Sequence, residues 1–304
     1  MTYNIRSWFL LVISIQTPEL FAADWQAFAT ESMDGTHIAY YVAGDPTSTE
    51  TPLLVISGGP GSDHRYMRVG GSFDILSEHR PVIMFDQRGT SRSGPVNGPP
   101  RLDQWADDVE SIRVALGATR VHVLGHSFGG IVAMNYLDRF GDNVSSVIFN
   151  NSTASSIADT ENILRKVFPD RIDEWARTRA ELPPRFKASE IAVFTSMEFV
   201  DLERLDDFLD AISEFTYNIK VNNALREDMA HLNYADVLGS ISVPSLVLHG
   251  RYDPVITPET AWNLHQMLPG SELVILPATG HLPFAEVPDA YVAVVDRFLR
   301  AVDR

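Results

Sequence analysis

The chain has 304 residues, 45% hydrophobic and 21% charged, with a formal net charge of −16. That balance suits a globular chain of one large domain with an insertion, or two small domains, and its negative charge argues against binding nucleic acid or anionic lipid surfaces. The absence of cysteine excludes disulfides, thiolate catalysis and cysteine-ligated zinc.

At the N-terminus, Arg6 precedes an apolar run from Trp8 to Ile15, and Phe21, Ala22 and Ala23 come before Asp24. A positive start, a short apolar stretch and small residues resemble a secretory signal. Residues 1–23 are therefore expected to direct export, the alternative being a cytoplasmic protein whose first residues pack on the domain. The run is too short to span a bilayer, so no stable membrane insertion is expected. From about residue 36, short apolar runs predict strands at His37–Val42, Leu53–Ser57, Val82–Phe85, Val121–Leu124, Val144–Phe149, Ser245–His249 and Leu273–Leu276. Near-continuous runs of this kind suit strands buried on both faces. Helical patterns lie between them, as at Leu102–Leu116 and Ile131–Arg139. The alternation predicts an α/β fold, a mostly parallel sheet flanked by helices. It breaks between about Ser152 and Gly239, where the sequence turns helical and charged, as at Ile172–Ala180 and Asp201–Glu214, with no strong strand. The expected organisation is a core of residues 24–151 and 240–304 with a helical cap at 152–239; extra core helices are the alternative.

The strongest motif is Gly125-His126-Ser127-Phe128-Gly129, an apolar strand running into G-x-S-x-G and then a helical run from Ile131. A sharp strand-to-helix turn exposes a serine hydroxyl, and its glycines let backbone pass close by. The helix N-terminus favours developing negative charge. Serine is a weak nucleophile without a base, and in this fold the order is Ser, Asp or Glu, then His. Asp253 follows the strand Ser245–His249, and His281 follows the strand ending at Leu276. Both fall past the carboxyl ends of strands, where such sheets build sites. The candidate nucleophile, orienting acid and base are thus Ser127, Asp253 and His281. The turn Ser57-Gly58-Gly59-Pro60-Gly61 follows another strand, and the N–H groups of Gly59 and Phe128 are the candidate oxyanion hole. The turn lacks the lysine and Ser/Thr of a P-loop. His126 and His249 read as packing residues.

Together, Gly58-Gly59-Pro60-Gly61, Asp86-Gln87-Arg88-Gly89, Gly125-His126-Ser127-Phe128-Gly129-Gly130, His249-Gly250-Arg251-Tyr252-Asp253 and Gly280-His281 resemble the motif set of the proline iminopeptidases and their relatives. The resemblance covers roughly residues 30–150 and 240–300. It implies an α/β-hydrolase fold with a helical cap, and a metal-free serine mechanism that removes an N-terminal residue, typically proline. It also implies cap glutamates that bind the substrate's free amine. Glu214, within Ile212–Asn218, is the position carried over; its alternative is a solvated helix face. The second glutamate usually follows a tryptophan, a pair this chain lacks, leaving Glu190 and Glu198 as loose candidates. Ser57 stands where the family has histidine, and the elbow departs from G-G-S-W-G.

The expected reaction is acyl transfer on a small-molecule or short-peptide substrate, with no metal and no cofactor. The expected enzyme is a proline iminopeptidase-like N-terminal peptidase; a carboxylesterase or lactonase acting on a small-molecule ester is the alternative, and a non-catalytic ligand receptor on the same fold is the remote one. Asp86 and Arg88 are expected to hold loops together. Nothing in the sequence bears on oligomeric state.

Overall fold

β-branched and aromatic residues dominate the predicted strands, and each forms in the computed structural model, which describes residues 23–153, 163–181, 185–186, 192–213, 215–229 and 234–304. All of the expected export signal except Ala23 lies outside the described residues. The strands are β1 (Gln26–Glu31), β2 (His37–Ala43), β3 (Leu53–Ile56), β4 (Val82–Phe85), β5 (Val121–His126), β6 (Val144–Asn150), β7 (Arg185–Phe186), β8 (Tyr217–Asn218), β9 (Ser245–Gly250) and β10 (Glu272–Leu276). Eight form one sheet in the order β1-β2-β4-β3-β5-β6-β9-β10. β2 pairs antiparallel with both β1 and β4; the other ladders are parallel. β1 had no sequence signal. It is an edge strand, exposed along most of its length, so no buried face imposes an apolar pattern on it.

Side chains alternate across the sheet as the two-residue strand period requires. Leu54, Ile56, Ile83, Phe85, Val123 and Phe149 enter one core. Leu53, Val55, Val82, Met84, Leu124 and Ile148 enter the other. Trp105 and Val109 of the helix Leu102–Ala115, with Ile131 and Val132 of Phe128–Phe140, cover the first face. On the second lies the helix Pro288–Val302, whose Tyr291, Val295, Phe298 and Leu299 recur at helical spacing. Each such burial is worth roughly 1.5–3 kcal/mol.

The connection order places the site. The chain leaves β3 for β4 on one side and returns to β5 on the other. That reversal opens a crevice at the carboxyl ends of β3 and β5.

Between β6 and β9 run the helices Leu164–Val167, Pro169–Glu181, Ala192–Glu198, Leu205–Ala211, Ile219–Met229 and Ala235–Ser240. Two features depart from the sequence pattern. β7 and β8 form a two-residue antiparallel pair, too short to leave a periodic signal. The expected helix Asp201–Glu214 splits into a 3₁₀ turn, Leu202–Arg204, and the shorter helix Leu205–Ala211, because the Asp201 side chain accepts the Glu203 N–H and starts the turn. Phe199 and Phe208 pack at 5.0 Å and join the second core with Ile212 and Phe215. No helix among the described residues is long and apolar enough to cross a membrane.

Candidate active site

β5 ends at His126, the next helix begins at Phe128, and Ser127 sits between them with φ 53° and ψ −121°. Such a backbone costs on the order of 1–3 kcal/mol and persists only where surrounding contacts enforce it. Here a Cβ on Gly129 would lie 2.2 Å from the Ile56 carbonyl oxygen, and one on Gly125 would lie 2.4 Å from that of Gly129. Only glycine lets the elbow close against β3. The helix therefore starts three residues before the predicted Ile131: Gly129 and Gly130 are helical because the crossing demands their size.

Asp253 follows β9 and is buried. Its Oδ1 accepts the N–H groups of Val255 and Ile256 at 2.8 and 3.0 Å; its Oδ2 lies 2.7 Å from both Asn151 Nδ2 and His281 Nδ1. A carboxylate only accepts, so His281 Nδ1 carries the proton and Nε2 is the ring's free acceptor. Ser127 and His281 line one cavity of 380 Å³ together with Gly59 and Phe128. The structure thus brings together five of the six predicted site residues. The sixth, Glu214, lies outside the described residues, as does Glu190.

Burial alone would raise the Asp253 carboxyl pKa, but the His281 imidazole and its hydrogen bond bring it below the ordinary value. Burial likewise opposes the His281 imidazolium, yet Asp253 and, more weakly, Glu198 and Glu286 raise the histidine above its usual value. Base function needs the neutral ring, which is lost as pH falls. On a neutral ester, activity is expected to decline on the acid side through the His281 ionisation, centred above the ordinary histidine pKa of ~6.5. Measured kcat/KM between pH 4 and 9 checks this; a rate flat down to about pH 5, below that reference, would assign the base to another group.

The glycine-rich turn is held from two directions. From below, Gln87 Nε2 donates to the Ser57 and Gly58 carbonyls at 3.0 and 2.7 Å, and its Oε1 accepts from Gly61 N–H and Trp105 Nε1, both at 3.1 Å. From above, the insertion reaches down. Asn218 N–H donates to the Gly61 carbonyl at 2.7 Å, Asn222 Nδ2 to the Pro60 carbonyl at 3.1 Å, and Thr216 N–H and Oγ1 to Asp63 at 2.8 and 3.0 Å. Among the described residues, the N–H groups of Gly59 and Phe128 have no acceptor. Both residues line the cavity with Ser127.

Arg88 and Asp86 behave as expected of loop holders. Arg88 is fully buried on Asp108 and Asp34, and Asp86 accepts from Tyr41 and pairs with His64.

The insertion supplies the cavity's apolar wall, including Leu164, Ile172, Trp175, Phe194, Phe208 and Phe215. Within that wall stands Glu198, the last residue of its helix. Its backbone carbonyl accepts the His281 N–H at 2.9 Å. Its carboxylate lines the cavity and makes no hydrogen bond or ion pair among the described residues. Burial pushes its pKa up to about 7. Sequence reasoning passed over Gln87 and Asn151, and read His126 as a packing residue. Gln87 sits inside a recognised motif, and Asn151 follows β6 at the site end of the sheet; those were the available signals. Among the described residues, no group of three or more His, Asp or Glu side chains is placed to hold a metal ion.

The model of the α/β hydrolase fold matches residues 51–288. The chain belongs to that family. A proline iminopeptidase from Heyndrickxia coagulans is 30% identical to this hydrolase over 277 residues, 85% of this chain and 93% of that enzyme. An esterase from a Rhodococcus species superposes with a TM-score of 0.73 at 24% identity, covering 91% of this chain and 99% of that one. The enol-lactonase from Burkholderia xenovorans superposes with a TM-score of 0.71 at 23% identity, covering 90% and 100%. The protein is a serine hydrolase enzyme that resembles the proline iminopeptidases.

Proposed function

We propose that this hydrolase removes the N-terminal residue of a short peptide or amide, with residues 152–239 acting as a cap over the site. The observation that carries this reading is the Glu198 carboxylate, which has no hydrogen bond or ion pair among the described residues, in a cavity with a largely apolar wall that Ser127, His281 and Arg226 also line. Its raised pKa means that ionisation is costly there without a cation, and a substrate ammonium would supply one. Glu214 is the carboxylate that the resemblance carries over for the same amine, and Glu198 is one of the two loose candidates for the second.

In this mechanism His281 takes the Ser127 proton as the hydroxyl attacks the carbonyl carbon. Asp253 keeps the imidazole in the Nδ1–H form and stabilises the imidazolium. The amides of Gly59 and Phe128 hold the oxyanion. His281 then protonates the leaving amine, and water cleaves the acyl-enzyme by the reverse proton path.

A panel of free and N-acetylated amino-acid arylamides, with short nitrophenyl esters and lactones, tests the reading. Free-amine arylamides, proline among them, are expected to turn over at least about tenfold faster than the acetylated forms, the loss expected from one charge-assisted hydrogen bond. Equal rates on both would remove the amine-binding role. The second reading, a carboxylesterase or lactonase, draws on Glu198 too: burial favours its neutral carboxyl, which tolerates an uncharged ester. Rapid ester or lactone turnover with inert arylamides would favour it.

A further inference from the structure

His126 was legible only as a packing residue, yet it sits in the middle of a directed chain of hydrogen bonds. The Gly58 N–H donates to Tyr66 Oη. Tyr66 Oη lies 2.8 Å from His126 Nδ1, and His126 Nε2 lies 2.9 Å from the His281 carbonyl oxygen. A carbonyl can only accept, so Nε2 carries the ring proton. In the neutral ring Nδ1 is then the acceptor, and the Tyr66 hydroxyl must donate to it. Burial lowers the His126 pKa to about 3, so this arrangement persists throughout the neutral range.

The ends of the chain are the two loops that must stay in register with Ser127. Gly58 precedes Gly59 in the oxyanion turn, and His281 carries the base. Packing leaves little slack between them. The His126 ring is 4.8 Å from that of His281 and 5.3 Å from that of Phe284. A Cβ on Gly58 would lie 2.9 Å from Tyr66 Oη, 3.1 Å from Ser127 Cβ and 3.2 Å from His126 Nδ1.

We propose that Tyr66 and His126 are positioning residues that tie the oxyanion turn to the base loop across the nucleophile elbow. The inference rests on the roles given above to Gly59 and His281, but not on the identity of the substrate. Other contacts also hold each loop: Gln87 under the turn, and Asn151 and the Glu198 carbonyl on the base loop. Losing the relay therefore misaligns the reacting groups without removing either of them, and misplacement of this kind lowers turnover more than binding.

The test uses the full-length hydrolase and a short nitrophenyl ester, so its outcome is independent of any amine-binding role for Glu198. Tyr66→Phe and His126→Phe are each expected to lower kcat by about 10- to 100-fold, the size expected from a buried hydrogen bond on which reacting geometry depends. KM should stay within a few-fold. The double variant should be no worse than the poorer single variant, because one break severs the chain. His126→Gln keeps a donor near the His281 carbonyl and should recover part of the loss. The low-field Nδ1–H proton resonance of His281 should move in His126→Phe, reporting a displaced imidazole. Wild-type kcat in a folded Tyr66→Phe would overturn the proposal; so would losses that multiply in the double variant, or a loss confined to KM. Should His126→Phe not fold, Tyr66→Phe alone and combined with His126→Gln carries the same test. Ser127→Ala run alongside separates the two failures: wild-type turnover in that variant would count against the assignment of the site itself rather than against the relay.

Discussion

Ser127→Ala is expected to fold as the parent does and to lose turnover by roughly 10⁴–10⁶-fold, by analogy with other serine triads. The substitution removes one oxygen and keeps the Cβ, so the elbow geometry fixed by Gly125 and Gly129 has no new clash to absorb. Covalent labelling by a fluorophosphonate should disappear with the hydroxyl. His281→Ala should cost a similar amount, and the pair together should lose little more, because nucleophile and base act as one unit. Asp253→Asn tests the orienting role differently. The amide keeps the volume of a buried side chain but offers an N–H where the carboxylate now accepts from His281, Asn151 and the Val255 and Ile256 amides. Turnover on the order of 10⁴-fold lower is expected, from the wrong imidazole tautomer. Near-normal turnover in Ser127→Ala, with an intact fold by circular dichroism, would take Ser127 out of the chemistry.

The second large effect is selective. A half-buried carboxylate facing a substrate ammonium in such a cavity forms a charge-assisted hydrogen bond worth roughly 1.5–3 kcal/mol. Glu198→Gln should therefore slow free-amine arylamides by about 10- to 150-fold, from that energy range, while neutral esters change little. The acid limb should also shift. Glu198 is among the carboxylates that raise the His281 pKa, so removing its charge lowers that pKa and moves the limb to lower pH. The two readouts are independent. A lower acid limb with no selectivity for free amines would keep Glu198 near the base and end its role in substrate binding.

The sheet was legible in the sequence because strands buried on both faces favour near-continuous apolar runs: β3 and β4 are apolar throughout, and β5 and β6 carry apolar residues at most positions. β1 was not, because an exposed edge asks only for backbone pairing. Ser127, Asp253 and His281 could be read from motifs at the carboxyl ends of strands, since the fold fixes both their chain order and their places. Glu198 could only be weakly singled out. Its position depends on a backbone hydrogen bond between its helix and the base loop, a contact across 83 residues of chain that no local spacing announces. Gln87 and His126 were hidden for a related reason. Each is a polar residue inside a recognised motif, and its function lies in which distant carbonyls it meets.

The stitching of the glycine-rich turn by Thr216, Asn218 and Asn222 bears on modularity. An exchangeable cassette on a self-sufficient catalytic chassis would leave that turn untouched. Here the insertion between β6 and β9 also holds the glycine-rich turn that is proposed to receive the oxyanion. A Cβ on Gly61 would lie 2.6 Å from the Asn218 carbonyl, so the two pieces are fitted to each other at the backbone. A foreign insertion grafted at residues 152 and 239 would change the cavity wall and, in the same stroke, remove the Thr216 partner of Asp63, leaving it Arg65, and the Asn222 and Asn218 partners of the Pro60 and Gly61 carbonyls. Selectivity and catalytic competence in this hydrolase must be inherited together, unless the graft retains residues 215–222.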